Sequence, residues 1–136
     1  MPIETVRGFR DVLPPESLRR QKVREVIERN FKLFGFLPVE TPSIEYDELA
    51  RGENEKDESV SGRFKLRDRG NRELALRYEF TFQLKRIFRE NPNIKLPFRK
   101  AQIGYVFRDE PVEKDRYREF LQCDADIIGD ADIKAD

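Results

Sequence analysis

Apolar and polar positions alternate with a period of two from Lys100 to Arg108: Ala101, Ile103, Tyr105 and Phe107 fall on one side, and Gln102, Gly104, Val106 and Arg108 on the other. The alternation returns from Phe120 to Ile127, with Leu121, Cys123, Ala125 and Ile127 opposite Phe120, Gln122, Asp124 and Asp126. The stretch 98–129 therefore predicts two strands joined by a charged loop. Its apolar set is the predicted core face, Cys123 included. The set carrying carboxylates, an amide and a ring is the predicted open face. A polar strand face is by itself only a solvated sheet surface, so chemistry there needs a more specific pattern.

Elsewhere the period changes. From Glu16 to Phe34 the residues Val23, Ile27, Phe31 and Phe34 recur at helical spacing, with Arg, Lys and Glu on the other faces, and Gly35 is the predicted stop. Pro14 and Pro15 mark the entry to that helix. Phe36 to Glu40 reads as a strand ending before Thr41 and Pro42. Ser43 to Arg51 reads as a turn followed by a short helix or irregular segment, and 52–62 as a polar solvent loop. Arg63 to Leu66 and Glu73 to Arg77 predict a hairpin around Asp68, Arg69, Gly70 and Asn71. Phe82, Leu84, Ile87 and Phe88 give a further helix that Asn91 and Pro92 end.

At 136 residues the chain is long enough for one domain with its own core. Lys plus Arg and Asp plus Glu balance at 27 each, so no net field favours a nucleic-acid-coating protein, and RNA contact would need a local patch. A single Cys excludes an internal disulfide. The absence of His removes histidine-based general bases and the familiar zinc sets, so no metal site is expected and catalysis would be electrostatic. No apolar run approaches a membrane span and no signal-peptide pattern opens the chain, which makes a cytoplasmic protein the expectation.

The polar face carries a spaced pattern: Phe107, Arg108 and Glu110 form F-R-x-E, and Arg116, Phe120 and Asp124 form R-x-x-x-F-x-x-x-D across the loop. It resembles motif 2 of the class II aminoacyl-tRNA synthetases, the ATP-binding hairpin of their catalytic sheet. Helix, strand and terminal proline over about 16–42 resemble motif 1, which builds the dimer interface in that family. VRGFRDVLPPE, LALRYEFT and QCDADIIG are similar to segments of the histidyl-tRNA synthetases, the last looking closer to the archaeal and eukaryotic branch.

The resemblance implies an α+β fold: an antiparallel β-sheet of class II synthetase type flanked by helices, here truncated. It implies that residues 1–136 are the front part of a catalytic domain, with motif 2 over about 98–129 and with motif 3 and the anticodon-binding domain absent. The implied activity is ligation of histidine to tRNA(His) through histidyl-adenylate, weak in this truncated chain by itself, with ATP as substrate, Mg²⁺ arriving through its phosphates, and a homodimer formed by the motif 1 helix and strand. Arg108 would hold the α-phosphate, where a guanidinium answers the charge of the transition state. Glu110 would lie near the adenine amino group, Phe120 would stack on adenine, and Arg116 would reach the γ-phosphate. Glu79, Thr81, Gln122 and Asp126 would contact the amino acid.

Each assignment has a plainer alternative. Thr81 either contacts substrate or caps the helix that follows it. The exposed half of the first helix faces either a second copy or a single-layer core. Lys114, Arg116 and Arg118 in the loop either meet tRNA phosphates or are merely solvated. Two other functions fit the same resemblance: a non-catalytic synthetase-like regulatory subunit of ATP phosphoribosyltransferase, and a tRNA-binding synthetase-like module.

Overall fold

The computed structural model describes residues 3–51 and 61–132. Helix α1 (Glu16–Leu33) is followed by β1 (Leu37–Pro38), β2 (Ile44–Tyr46), α2 (Asp47–Arg51), β3 (Lys65–Arg67), β4 (Glu73–Leu76), α3 (Phe82–Glu90), β5 (Phe98–Phe107) and β6 (Glu119–Ile128). The strands form two three-stranded sheets, ordered β1-β5-β6 and β2-β4-β3.

Strands β5 and β6 form the predicted hairpin, antiparallel and in unbroken register from Phe98 opposite Ile128 to Phe107 opposite Glu119. Short β1 adds in parallel along β5, so the strand expected over Phe36 to Glu40 reduces to two residues. The second hairpin, β3 with β4, is also present, shifted by a residue or two. Ser43 to Arg51, read from sequence as a turn and short helix, contributes a strand as well: β2 pairs antiparallel with β4 before α2 begins. Three residues are too short a run for periodicity to register. Most of the polar segment 52–62 and the last four residues lie outside the described residues; Gly62, at its edge, is buried and accepts from the Asp109 amide.

Helix α1 ends as its sequence predicts. Gly35 has φ +75, its amide donates to Lys32 O, and the Phe36 amide reaches back to Phe31 O. The rings of Phe31 and Phe36 meet at 5.9 Å, the apolar contact that accompanies this kind of helix stop.

The two sheets are joined by one arginine. Arg77 Nε donates to Tyr105 O and Nη1 to Thr41 O, each at 2.6 Å. Its own backbone donates to Ser43 O and accepts from Phe107 N. Burial pushes the Arg77 guanidinium below its ordinary value, with Glu45 opposing.

The core draws on both faces of β5, not only the apolar one expected: Ala101 and Phe107 of the apolar face are buried, and so is much of the polar face. The largest fully buried side chains are Phe80, Lys100 and Val106, and Gln102 is buried with them. Lys100, Gln102 and Val106 share the polar face of β5. The segment 77–81, arriving from β4, covers that face. The apolar face, in contrast, is only partly covered by α1: Tyr105 is exposed, Ile103 half-buried, and Cys123 exposed in a cleft beneath the helix. Cys123 is therefore not a core residue. Helix α1 has no buried residue at all.

Candidate active site

The polar face of the hairpin carries most of the chemistry, because residues opposed across an antiparallel pair point the same way. Lys100 is opposite Asp126, Gln102 opposite Asp124, Gly104 opposite Gln122, and Val106 opposite Phe120. One step further, Arg108 donates its amide to Arg118 O. Gly104 is needed for closeness: a Cβ there would stand 2.9 Å from Arg77 Nη2 and 3.4 Å from Phe80 Cζ.

Arg108 lies between two rings, its guanidinium carbon 4.5 Å from the centre of Tyr78 and 5.0 Å from that of Phe120. Its Nε is buried without a hydrogen-bond partner. A buried donor left this way is uncommon and marks a place where an acceptor is missing.

Glu110 sits at the root of the β5–β6 loop. Tyr78 Oη donates to its Oε1 at 2.6 Å and Arg116 Nη2 to its Oε2 at 2.5 Å. The tyrosine, followed by Arg116, holds the Glu110 carboxyl below the usual carboxylate range. Arg118 braces the same loop through Glu110 O and its ion pair with Asp109. The N-terminal arm is pinned here too. Arg118 N donates to Gly8 O, and Gly8 at φ +86 has no room for a Cβ against the Arg118 side chain. Arg10 stacks 4.5 Å from the Tyr117 ring and pairs with Glu16.

The geometry thus brings Arg108 to Phe120 and Glu110 to Arg116, while Asp126 joins Lys100 at 2.7 Å. Gln122 donates to Asp124 Oδ1 at 3.0 Å. Thr81 occupies the position before α3 but makes no side-chain capping bond and is exposed, so capping does not account for it. Glu79 is half-buried beside Phe80. Sequence reasoning did not single out Tyr78, Arg77, Phe80 or Lys100. Lys100 was legible in principle, since it continues the alternation of Gln102 and Arg108. The other three required knowing that 77–81 folds over the hairpin. Among the described residues no group of three or more His, Cys, Asp or Glu could hold a metal ion.

The fold, two β-sheets around a long central hairpin with flanking helices, is that of a class II aminoacyl-tRNA synthetase catalytic core. A family profile described as histidyl-tRNA synthetase matches residues 8–136, and the chain belongs to that family. It is 40% identical over its whole length to histidine–tRNA ligase 1 of Bacillus anthracis, covering 32% of that protein. It is 45% identical over 131 residues to histidine–tRNA ligase of Korarchaeum cryptofilum, covering 31%. Relatives thus come from bacteria and an archaeon, and the chain spans about a third of their length. Two solved structures each superpose with a TM-score of 0.81. One is histidyl-tRNA synthetase from Nostoc sp. PCC 7120, at 27% identity over 97% of this chain and 30% of that one. The other is described as an ATP phosphoribosyltransferase regulatory subunit/histidyl-tRNA synthetase from Bacillus halodurans C, at 25% identity over 96% and 33%.

Proposed function

We propose that this chain is the front part of a histidine–tRNA ligase catalytic domain, with motif 3 and the anticodon-binding domain lying outside it. The observation that carries the reading is Arg108, stacked between Tyr78 and Phe120 with a buried donor that lacks an acceptor.

In the reaction proposed, a carboxylate oxygen of histidine attacks the α-phosphorus of ATP, the bond to the bridging oxygen breaks, and pyrophosphate leaves. The ribose hydroxyl at the end of tRNA(His) then attacks the carbonyl carbon of histidyl-adenylate and AMP departs. Arg108 supplies fixed positive charge and paired donors to the α-phosphate as negative charge builds. Phe120 offers a face for adenine once the guanidinium moves to phosphate. Glu110 accepts from the adenine amino group. Arg116 leaves Glu110 for the γ-phosphate, exchanging one anion for a more highly charged one. Mg²⁺ accompanies ATP and screens its phosphates. Glu79, Thr81, Gln122 and Asp126 receive the amino acid, Glu79 and Thr81 serving its ammonium group.

The proposal includes a cytoplasmic homodimer through α1 and β1. Among the described residues no helix is long and apolar enough to cross a membrane. Leu18, Val23, Val26, Leu33 and Leu37 are exposed on α1 and β1, which favours a partner surface there. Pyrophosphate exchange by the natural full-length protein, with histidine set against glycine, proline, serine and threonine, tests the reading. Exchange with histidine alone is expected; exchange with another of these, or with none, overturns it.

The Bacillus halodurans structure, described as both, supports a second reading: a regulatory subunit that keeps the fold without the chemistry. It predicts histidine binding without exchange. The retained Arg108, Glu110, Arg116 and Phe120 favour the ligase.

A further inference from the structure

One lysine of the hairpin is fully buried, and the roles above do not use it. Lys100 has no exposed surface, whereas lysines ordinarily extend their ammonium group to water. Its Nζ lies 2.7 Å from Asp126 Oδ2, across the directly opposed position of β6. Phe80, itself fully buried, closes the other side with its ring centre 5.9 Å from Nζ. The approach to Asp126 is short but off the hydrogen-bonding direction, so neither Nζ nor Oδ2 makes a directed hydrogen bond.

Asp126 is divided between two environments. Its Oδ2 is sealed against the ammonium, yet the side chain as a whole keeps 36% of its surface exposed. The exposure therefore belongs to the rest of the side chain, on the side of Oδ1. An ammonium without water would be costly on its own, and the pair survives because each charge answers the other. The carboxylate keeps one open acceptor in a fixed direction, and the pair has no net charge. Nearby, Arg77 lies over Phe80, and Asp124 is occupied by Gln122.

We propose that Lys100 is a positioning residue for the amino-acid end of the site: it fixes Asp126 through Oδ2, so that Oδ1 takes an uncharged N–H donor such as a neutral imidazole. The inference rests on the ligase reading, which gives Asp126 to the amino acid. A bare carboxylate would favour a cationic side chain; a neutral ion pair favours a neutral donor held by geometry. The pair stands six residues along β6 from Phe120, roughly 20 Å at strand spacing, so the nucleotide end is insulated from it.

Histidine and ATP affinities of the natural full-length protein, native and with Lys100→Met or Lys100→Arg, measured by calorimetric titration, test this. Lys100→Met should bind histidine about tenfold more weakly or worse, with ATP affinity within about twofold, and Lys100→Arg should recover most of the loss. A purely structural lysine would weaken both ligands together or neither, and either result overturns the inference. Should Lys100→Met not fold, Lys100→Gln takes its place, removing the charge while keeping a polar side chain of similar length beside Asp126. Weakened histidine binding with ATP binding intact supports the inference in that variant; unchanged histidine binding overturns it. A native protein that binds neither ligand sinks the ligase reading itself, while native binding of both with an unaffected Lys100→Met sinks only the role of Lys100.

Discussion

The Arg108 guanidinium carbon lies 5.0 Å from the centre of the Phe120 ring, and the arginine Nε is buried with no hydrogen-bond partner. Placed so, the arginine contributes less to the fold than it would to a bound anion. Arg108→Ala should weaken ATP binding by about tenfold to a hundredfold, the range for hydrogen bonds to charged groups. Its unfolding free energy should fall by about 1–2 kcal/mol, the worth of the two ring contacts, because the unsatisfied donor adds nothing to the fold. Calorimetric titration and urea unfolding check both; equal ATP affinity in the two proteins removes the phosphate role.

Tyr78 controls Glu110. Its hydrogen bond is the first cause holding the carboxyl below its ordinary value, and Arg116 adds to it. A carboxyl depressed in the folded state stabilises above its unfolded value, and that contribution is lost as pH falls through the folded one. Tyr78→Phe should therefore raise the pH at which Glu110 titrates, as read by carboxyl NMR. An unmoved titration would place its cause elsewhere.

The same sign applies to Asp47 in α2, which accepts from Arg63 Nε at 2.6 Å and Nη2 at 2.9 Å. Arg63, in first place among the causes, lowers the Asp47 carboxyl from 3.8. The Arg63 side chain is 2% exposed, so the paired hydrogen bonds that Asp47 accepts are shielded from water. Asp47→Asn should cost about 1–3 kcal/mol at neutral pH, the range for hydrogen bonds to charged groups, and flatten the loss of stability between the ordinary carboxylate value and lower pH. Urea midpoints measured from pH 2 to pH 7 decide it.

Arg77 carries the junction between sheets. Arg77→Met leaves the Tyr105 and Thr41 carbonyls without this donor and should cost about 2–4 kcal/mol. Gly104→Ala should destabilise through the same contact, because its Cβ meets the Arg77 guanidinium and the Phe80 ring. A neutral effect of both in thermal unfolding would dissociate Arg77 from the junction.

The apolar surface of α1 predicts self-association. Sedimentation at micromolar concentration should give a species larger than a monomer, and Val23→Asp with Val26→Asp should shift it toward the monomer. A native protein that sediments as a clean monomer refutes the partner surface.

Local pattern was enough to find α1, α3 and both hairpins, because a period of 3.6 or 2 reports which side chains share a face. Gly35 set the end of α1, since few residues other than glycine accept its φ of +75. The spaced residues Arg108, Glu110, Arg116 and Phe120 were legible through their resemblance to a family motif rather than through periodicity: only Phe120 lies in the paired register, while Arg108, Glu110 and Arg116 belong to the segment that joins the strands. What periodicity could not say was which face of the hairpin becomes the core. The apolar face of β5 and β6 was the natural choice, and Ala101 and Phe107 are buried on it, yet Tyr105 and Cys123 remain exposed, while Lys100 and Gln102 of the other face are buried. That outcome depends on Arg77, Tyr78 and Phe80, which follow β4 and precede by 18–21 residues the strand they cover. Burial depends on what lands on a surface, and a strand's own sequence carries no record of the segment that will lie across it.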